Sequence, residues 1–329
     1  MIGGLGAAGC GAPSPVTRPA PAPALAPLKT AGPLSDLLPL AQLRWLILAR
    51  PREIASIPFL IPPIGAVVPE EKLDRFAGAT GVDLRQIPEA AVALYADEGG
   101  AETLFYLARH NGDPARIERS FRERFTSGAQ RAEDRPDLIR CSGKVSGAQN
   151  TLVLIGRDIL GVQQGGSAAR GPARIAALYA EGKLKRSPTA LAEEPLRSLI
   201  KRFGDAPLCA LAPGPFQGEL QRGARGLLAG ATAIGASARP SAREGVAVVV
   251  AVAGDFSKSG EPASRALGDA WNELAAGSFG HLLGLDLPVQ APLTTFSPEA
   301  VACAIELDPQ RLATGLRSAT SARIEEIMR

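Results

Sequence analysis

The side chains able to do chemistry in this 329-residue chain are few and scattered. There are two histidines, His110 and His281, and four cysteines, Cys10, Cys141, Cys209 and Cys303. Neither histidine has another His, Cys, Asp or Glu at a metal-ligand spacing, and no two cysteines form a CxxC pair. His110 falls at the end of an expected strand, beside the turn residues Asn111-Gly112. His281 follows Ser278-Phe279-Gly280. Both read as structural or solvated side chains. Gly165-Gly166-Ser167 lacks the second half of the G-x-S-x-G turn that raises a nucleophilic serine, and no phosphate-binding P-loop occurs. The adjacent carboxylates Asp97/Glu98, Glu193/Glu194 and Glu325/Glu326 point to different faces of a strand or helix, so none is by itself an acid/base pair. The sequence thus points to no catalytic, cofactor-binding or metal-binding residue and to no cofactor.

Glycines at the front of the chain have the spacing Gly4-x-Gly6-x-x-Gly9 of a dinucleotide fingerprint. That fingerprint needs a strand before its first glycine and a helix after its last. Three residues precede Gly4, and Pro13, Pro15 and Pro19 follow closely, so neither element has room. The same stretch, Leu5-Gly6-Ala7-Ala8-Gly9-Cys10, resembles the lipobox of bacterial lipoproteins, with Ala7 standing where the family usually has leucine. The resemblance implies cleavage before Cys10, lipidation of that cysteine, and a cell-envelope location. Gly11 after the cysteine implies release towards the outer membrane, facing the periplasm or the exterior. The nine residues before Cys10 lack the basic region and long apolar core of a whole signal peptide, so the expectation includes a part lying upstream of Met1.

Composition bounds the remaining classes. Hydrophobic residues make up 46% and mean hydropathy is +0.07, as in a chain with a packed core, and no apolar run reaches membrane-spanning length. The longest run, Val246 to Ala253, has strand length and β-branched composition. A net charge of +3, with two tryptophans and three tyrosines, gives neither the basic surface nor the stacking stripe of a nucleic-acid binder. Cys141, Cys209 and Cys303 each sit in or beside apolar runs, where a buried free thiol is the default.

Patterning then places the elements. Gly11 to Pro39 reads as a proline- and alanine-rich extended linker, suited to holding a body off a membrane. Strands are expected at Leu43–Ala49, Ala91–Tyr95, Glu102–Arg109, Leu138–Val145, Thr151–Gly156 and Ile159–Gln163. In the second half they are expected at Pro207–Ala212, Thr232–Ala238, Gly245–Ala253 and Ala300–Leu307. Asp97-Glu98-Gly99-Gly100 is a hairpin turn. Helices open at Asp113-Pro114, Pro172, Pro262 and Asp308-Pro309, since proline suits the first helical position. Ile117, Phe121 and Phe125 make one apolar stripe. Glu53 to Pro69 reads as a loop or broken helix, followed by a short helix over Glu70–Ala77. Ser127 to Asp137 and Pro292 to Pro298 read as loops. Gly182 to Phe203 carries six basic residues against Glu193 and Glu194, read as a solvated linker and helix face.

The resulting expectation is an α+β fold of two similar halves, each a small mostly antiparallel sheet with helices on one face, arisen by tandem duplication. Residues 1–40 would be signal remnant and linker, 41–190 the first domain and 191–329 the second. The functional expectation is a non-catalytic binding or structural lipoprotein of the envelope, attached to the membrane through a lipid on Cys10. Its partner there would be a protein or polysaccharide, not nucleic acid. An exported enzyme of unknown chemistry and a cytoplasmic protein with a disordered leader are the alternatives.

Overall fold

The computed structural model describes residues 26–97, 99–184 and 186–327, and within these not the side chains of 133, 134, 220 and 319–327. In chain order the elements are β1 (Leu43–Ala49), α1 (Pro51–Ala55), α2 (Ile61–Val67), α3 (Glu70–Thr80), β2 (Ala90–Ala96) and β3 (Glu102–Arg109). There follow α4 (Pro114–Arg122), β4 (Ser127–Arg135), β5 (Leu138–Val145), β6 (Ala148–Ile155), β7 (Ile159–Gln164) and α5 (Pro172–Ala180). After these come α6 (Leu196–Phe203), β8 (Leu208–Pro213), α7 (Glu219–Arg222), β9 (Ala231–Pro240) and β10 (Val246–Gly254). The chain closes with α8 (Gly260–Ala276), α9 (Ser278–Leu283), β11 (Gln290–Ser297), β12 (Ala300–Leu307) and α10 (Pro309–Ile327).

All twelve strands belong to one antiparallel sheet in the order β11-β12-β10-β9-β8-β1-β2-β3-β7-β6-β5-β4. The α+β class is therefore as expected, but two separate small sheets are not present. The strands of residues 43–164 lie on one side and those of 208–307 on the other, joined by the β1–β8 ladder from Leu46↔Leu211 to Ala49↔Leu208.

The register traces one row of side chains across ten strands: Cys303, Val250, Ala236, Ala210, Ile47, Val92, Tyr106, Val162, Leu152 and Cys141. Neighbouring residues point to the opposite face. That alternation puts helices on both faces, not on one. Phe105 and Leu107 of β3 join the central core with Ala173, Ala176, Ala177 and Ala180 of α5 and with Leu196, Leu199 and Phe203 of α6. Ala108, one residue on, belongs to a core closed by Ile117 of α4 on the other face. Val252 and Val301 share that other face with Leu267 and Trp271 of α8. Both faces are covered because alternate residues of the inner strands are apolar on either side, and each set must leave water.

Local chemistry sets the helix starts as the sequence implied. Asp113 has extended backbone and its carboxylate accepts from the Ala115 amide at 3.1 Å, with Pro114 as the first helical residue. Phe121 and Phe125 meet edge to face at 5.2 Å. For α5, the cap comes from the sheet: Gln163, fully buried on β7, accepts from the Ala173 amide at 3.2 Å. Its amide nitrogen donates to the Gly165 and Ser167 carbonyls at 2.9 and 3.2 Å. This is how a buried polar side chain is satisfied without water.

Three segments differ from their sequence reading. Ser127–Arg135 and Gln290–Ser297 are strands, not loops, and both are sheet edges. An edge strand has one neighbour and one wet side, so it needs no apolar run. The edge also tolerates Pro292, which lacks an amide hydrogen. Each has an irregular register, between Ser127 and Gln130 and between Gln290 and Leu293. The third is the end of the expected linker. Residues 26–40 form a strap packed on the body, with a 3-10 turn at Leu34–Leu37. Leu34 and Leu38 are wholly buried and Leu37 nearly so.

Candidate functional site

The strap is built around Arg109, at the end of β3. Its guanidinium pairs with Glu89 at 3.1 Å and Asp158 at 2.8 Å, and donates to the carbonyls of Thr30, at 2.7 Å, and Gly32. Glu89 in turn accepts from the Leu34 amide at 2.8 Å. An arginine suits this position because its planar fork serves several acceptors at once.

Past this clamp, the strap meets the connection between α5 and α6 at two points. The Lys29 amide donates to the Ala180 carbonyl at 2.7 Å, and the Ala190 amide to the Leu38 carbonyl at 2.8 Å. Around the second contact Pro39 and Thr189 form an antiparallel bridge, with the Leu40 amide donating to Pro188. Between the two contacts the segments part, leaving a groove of about 680 Å³ with Leu37, Tyr179 and Leu184 among its lining. The Tyr179 hydroxyl donates to the carbonyl of Pro188, another lining residue, at 3.0 Å.

Four charged residues line this groove: Lys29, Arg186, Asp36 and Glu193. Their places follow from the chain path. Lys29 is at the α5 end, its ammonium beside Gly182. Asp36 sits in the 3-10 turn with its carboxylate against Gly32, and Glu193 lies four residues past the Pro39↔Thr189 bridge. Partial burial, and next the nearby Glu89 charge, raise the Asp36 carboxyl above its ordinary range. The volume is that of a small-ligand site. Two further cavities are smaller: about 480 Å³ between α4 and β4, and about 320 Å³ beside Gln42, Pro195 and Pro213.

The residues singled out from sequence are not brought together. His110 is 6% exposed, and neither ring nitrogen has a partner of good geometry. Burial lowers its pKa below 6.5, which the Gly112 backbone and the Asp158 charge only partly offset. His281 is exposed at the far end of the molecule and pairs with Asp286 at 2.8 Å. Cys141, Cys209 and Cys303 are free and buried. Cys141 and Cys303 close the two ends of the ten-strand row, roughly 40 Å apart at the usual strand spacing, while Cys209 faces the other side. Burial, and then the Glu118 carboxylate, push the Cys141 thiol up to about 11. Burial alone would raise Glu118, but bonds from Arg131, at 2.7 Å, and from Cys141 lower it instead. A thiol held protonated is a poor nucleophile.

Of the carboxylate pairs, Glu193 lines the groove and Glu194 accepts from the Ser198 amide at 2.9 Å in the first turn of α6. The side chains of Glu98, Glu325 and Glu326 lie outside those described, as do Cys10 and the glycines before it. The basic stretch 182–203 is dispersed: Lys183 pairs with Glu181 at 2.6 Å, Arg202 reaches Ser297 at 3.0 Å, and Arg186 lines the groove. Sequence reading passed over Lys29 and Asp36 because they sat in a presumed linker. The signal that could have found them is Leu34-Ser-Asp-Leu-Leu38, the only leucine cluster in that proline-rich stretch.

Among the described residues, no group of three or more His, Cys, Asp or Glu could hold a metal ion, and no helix is long and apolar enough to cross a membrane. Comparison of the chain with protein-family models, curated proteins and solved structures finds no match.

Proposed function

We propose that this protein is a non-catalytic binding protein of the bacterial cell envelope, tethered through a lipid on Cys10. One observation carries the reading: the small-residue run Leu5–Cys10 is followed at once by a stretch with proline at 13, 15, 19, 21 and 23. Lipid attachment at the cysteine needs the first. A body held away from the bilayer needs the second, because such sequences are extended and semi-rigid. A single acyl chain binds a membrane only marginally, so the tether calls for the multiple acylation that the lipoprotein resemblance implies. The outer membrane is the proposed destination, and the partner a protein or polysaccharide there. Radiolabelled palmitate incorporation into the wild-type chain, lost in Cys10→Ser, tests the anchor. Equal labelling of the two chains, or none of either, refutes it.

We also read the body as a tandem duplication. The central strand, hairpin and next neighbours run β1-β2-β3-β7-β6 in one direction and β8-β9-β10-β12-β11 in the other. The antiparallel β1–β8 seam is the contact two copies would make about a two-fold axis normal to the sheet. The helix starts Pro172-Ala-Arg-Ile175 and Pro309-Gln-Arg-Leu312 also correspond. Residues 26–190 and 191–327, expressed together as separate chains, should then copurify at equal stoichiometry, and failure to associate counts against the reading.

A further inference from the structure

On the face of the sheet that carries α4 and α8, the helical cover stops short of the middle. There α4 packs on β5 and β6, and α8 on β11 and β12. Seven strands lie between, from β10 to β7, roughly 29 Å at the usual strand spacing. On the opposite face these strands are closed over by α5, α6 and the strap, and Ala93, Phe105, Cys209 and Leu211 are almost wholly buried. On the α4 and α8 face their residues stay within reach of solvent, yet they are just as apolar. The row from Val250 through Ile47 to Val162 has a neighbour running from Val248 through Leu208 and Ala49 to Leu160. The two rows hold no charge and one hydroxyl, that of Tyr106, and only Ala108 among them is buried. Tyr106 and Leu208 are each 37% exposed. Strands apolar on both faces belong to a sheet that is covered on both.

A second observation lies at the rim. Residues 51–80 leave β1 at the Leu208 end of this face, and they reach α10 through α2 and α4 through α3. The segment is rich in apolar side chains, Phe59, Leu60, Ile61, Ile64 and Phe76 among them, but Pro63 is the only buried residue of α1, α2 and α3. The other end of the same face is polar, with Glu102, Gln164 and Thr232 exposed.

We infer that this face binds the acyl chains of a lipid, laid over the middle strands with the head group towards Glu102, Gln164 and Thr232. Each of these seven strands is paired on both sides, so the floor offers a ligand no free backbone group. An extended peptide laid there would leave its own amides unpaired, whereas a hydrocarbon chain has none to satisfy. An amphipathic helix, about 10 Å across, would cover a third of the width. A second copy carries the same helical walls, and two such faces would meet rim to rim with their floors roughly 20 Å apart, twice the spacing of packed sheets. The inference adds a ligand to the binding role proposed above and does not depend on the anchor at Cys10.

Trp45 lies on this face, opposite Leu94, and reports on it. Fluorescence titration of the purified full chain with dibromostearate, whose bromines quench indole on contact, tests the inference. Quenching should saturate with a dissociation constant on the order of 1 µM, be reversed by palmitate, and be lost in Trp45→Phe. Leu208→Lys and Val92→Asp each place a charge under the chains and should weaken binding at least about tenfold. Leu287→Lys, in the loop before β11, should leave it unchanged. Circular dichroism checks each variant, and Leu208, already open to solvent, keeps the test valid if Val92→Asp does not fold. No quenching by roughly 50 µM, equal quenching in Trp45→Phe, or unchanged affinity in Leu208→Lys overturns the inference. So does displacement of the probe by a helical Leu/Lys peptide but not by palmitate, or a dimer in light scattering that Leu208→Lys dissociates. Cys10→Ser should bind the probe as wild type does, so this proposal and the lipid anchor fail separately.

Discussion

Cutting Leu38 back to alanine should destabilise the body by about 3 kcal/mol, although the residue lies in a segment whose composition is that of a linker. Leu38 is 0% exposed and belongs to the central core with Leu34, Leu46, Ala93 and Ala190. Burying a leucine side chain is worth about 1.5–3 kcal/mol in transfer free energy, and the cavity left by truncation adds to that, so Leu→Ala at such sites costs about 2–5 kcal/mol. The site has little room to collapse. The Leu38 carbonyl is bonded to the Ala190 amide and the neighbouring turn is held by Glu89 and Arg109. Leu34→Ala should cost a similar amount, and the double variant less than the sum, since both side chains share one core. Urea unfolding followed by the fluorescence of Trp45 and Trp271 measures this as a lower midpoint at unchanged slope. Leu287→Ala, 56% exposed, is the control and should stay within about 0.5 kcal/mol of wild type. A Leu38→Ala loss below about 1 kcal/mol refutes the packing of the strap, and with it the wall of the groove.

Three further outcomes follow from particular side chains. The His110 pKa is lowered in the folded state, so below about 6.5 the unfolded chain binds a proton that the folded one resists. Stability should therefore fall as pH drops from 6.5 towards the folded pKa, and His110→Gln should flatten that part of the profile. A profile identical in the two proteins excludes His110 as its source. Native protein at pH 8 should react with a thiol reagent at none of Cys141, Cys209 or Cys303, all three being buried with raised pKa, whereas denatured protein should react at each. Mass spectrometry after alkylation counts the modified sites, and rapid native labelling of Cys141 contradicts its placement. Gly161→Ala should cost about 1–3 kcal/mol. A methyl group there would stand 2.7 Å from a Val153 methyl and 2.9 Å from the Phe105 ring, both buried in the core. A neutral result in urea unfolding means that β7 is not packed as described.

Much of the local structure was legible because its causes are local. Asp113-Pro114 can begin a helix wherever it occurs. The run Val246 to Ala253 can hardly be other than an inner strand, and the β2–β3 hairpin announces itself in Asp97 and Gly100. The edge strands β4 and β11 were hidden because their causes are not local. Both are strands only because a neighbour, β5 or β12, offers a ladder, and one wet side removes the need for an apolar pattern. The candidate site was hidden for the same reason. Lys29 and Asp36 sit in a stretch that composition assigns to a spacer, and Arg186 and Glu193 in one that looks like a solvated linker.

The sequence by itself determined the elements whose stability comes from their own capping and periodicity, the buried free thiols, and the run at Cys10 that suggests a lipid anchor. Only the tertiary structure decided that twelve strands share one sheet, that helices cover both faces, and that the strap's leucines leave water. It alone decided that four charges from two segments some 150 residues apart enclose one groove. The physical reason is that capping and side-chain alternation act over a few residues. Burial and charge pairing depend on which distant segment supplies the other wall.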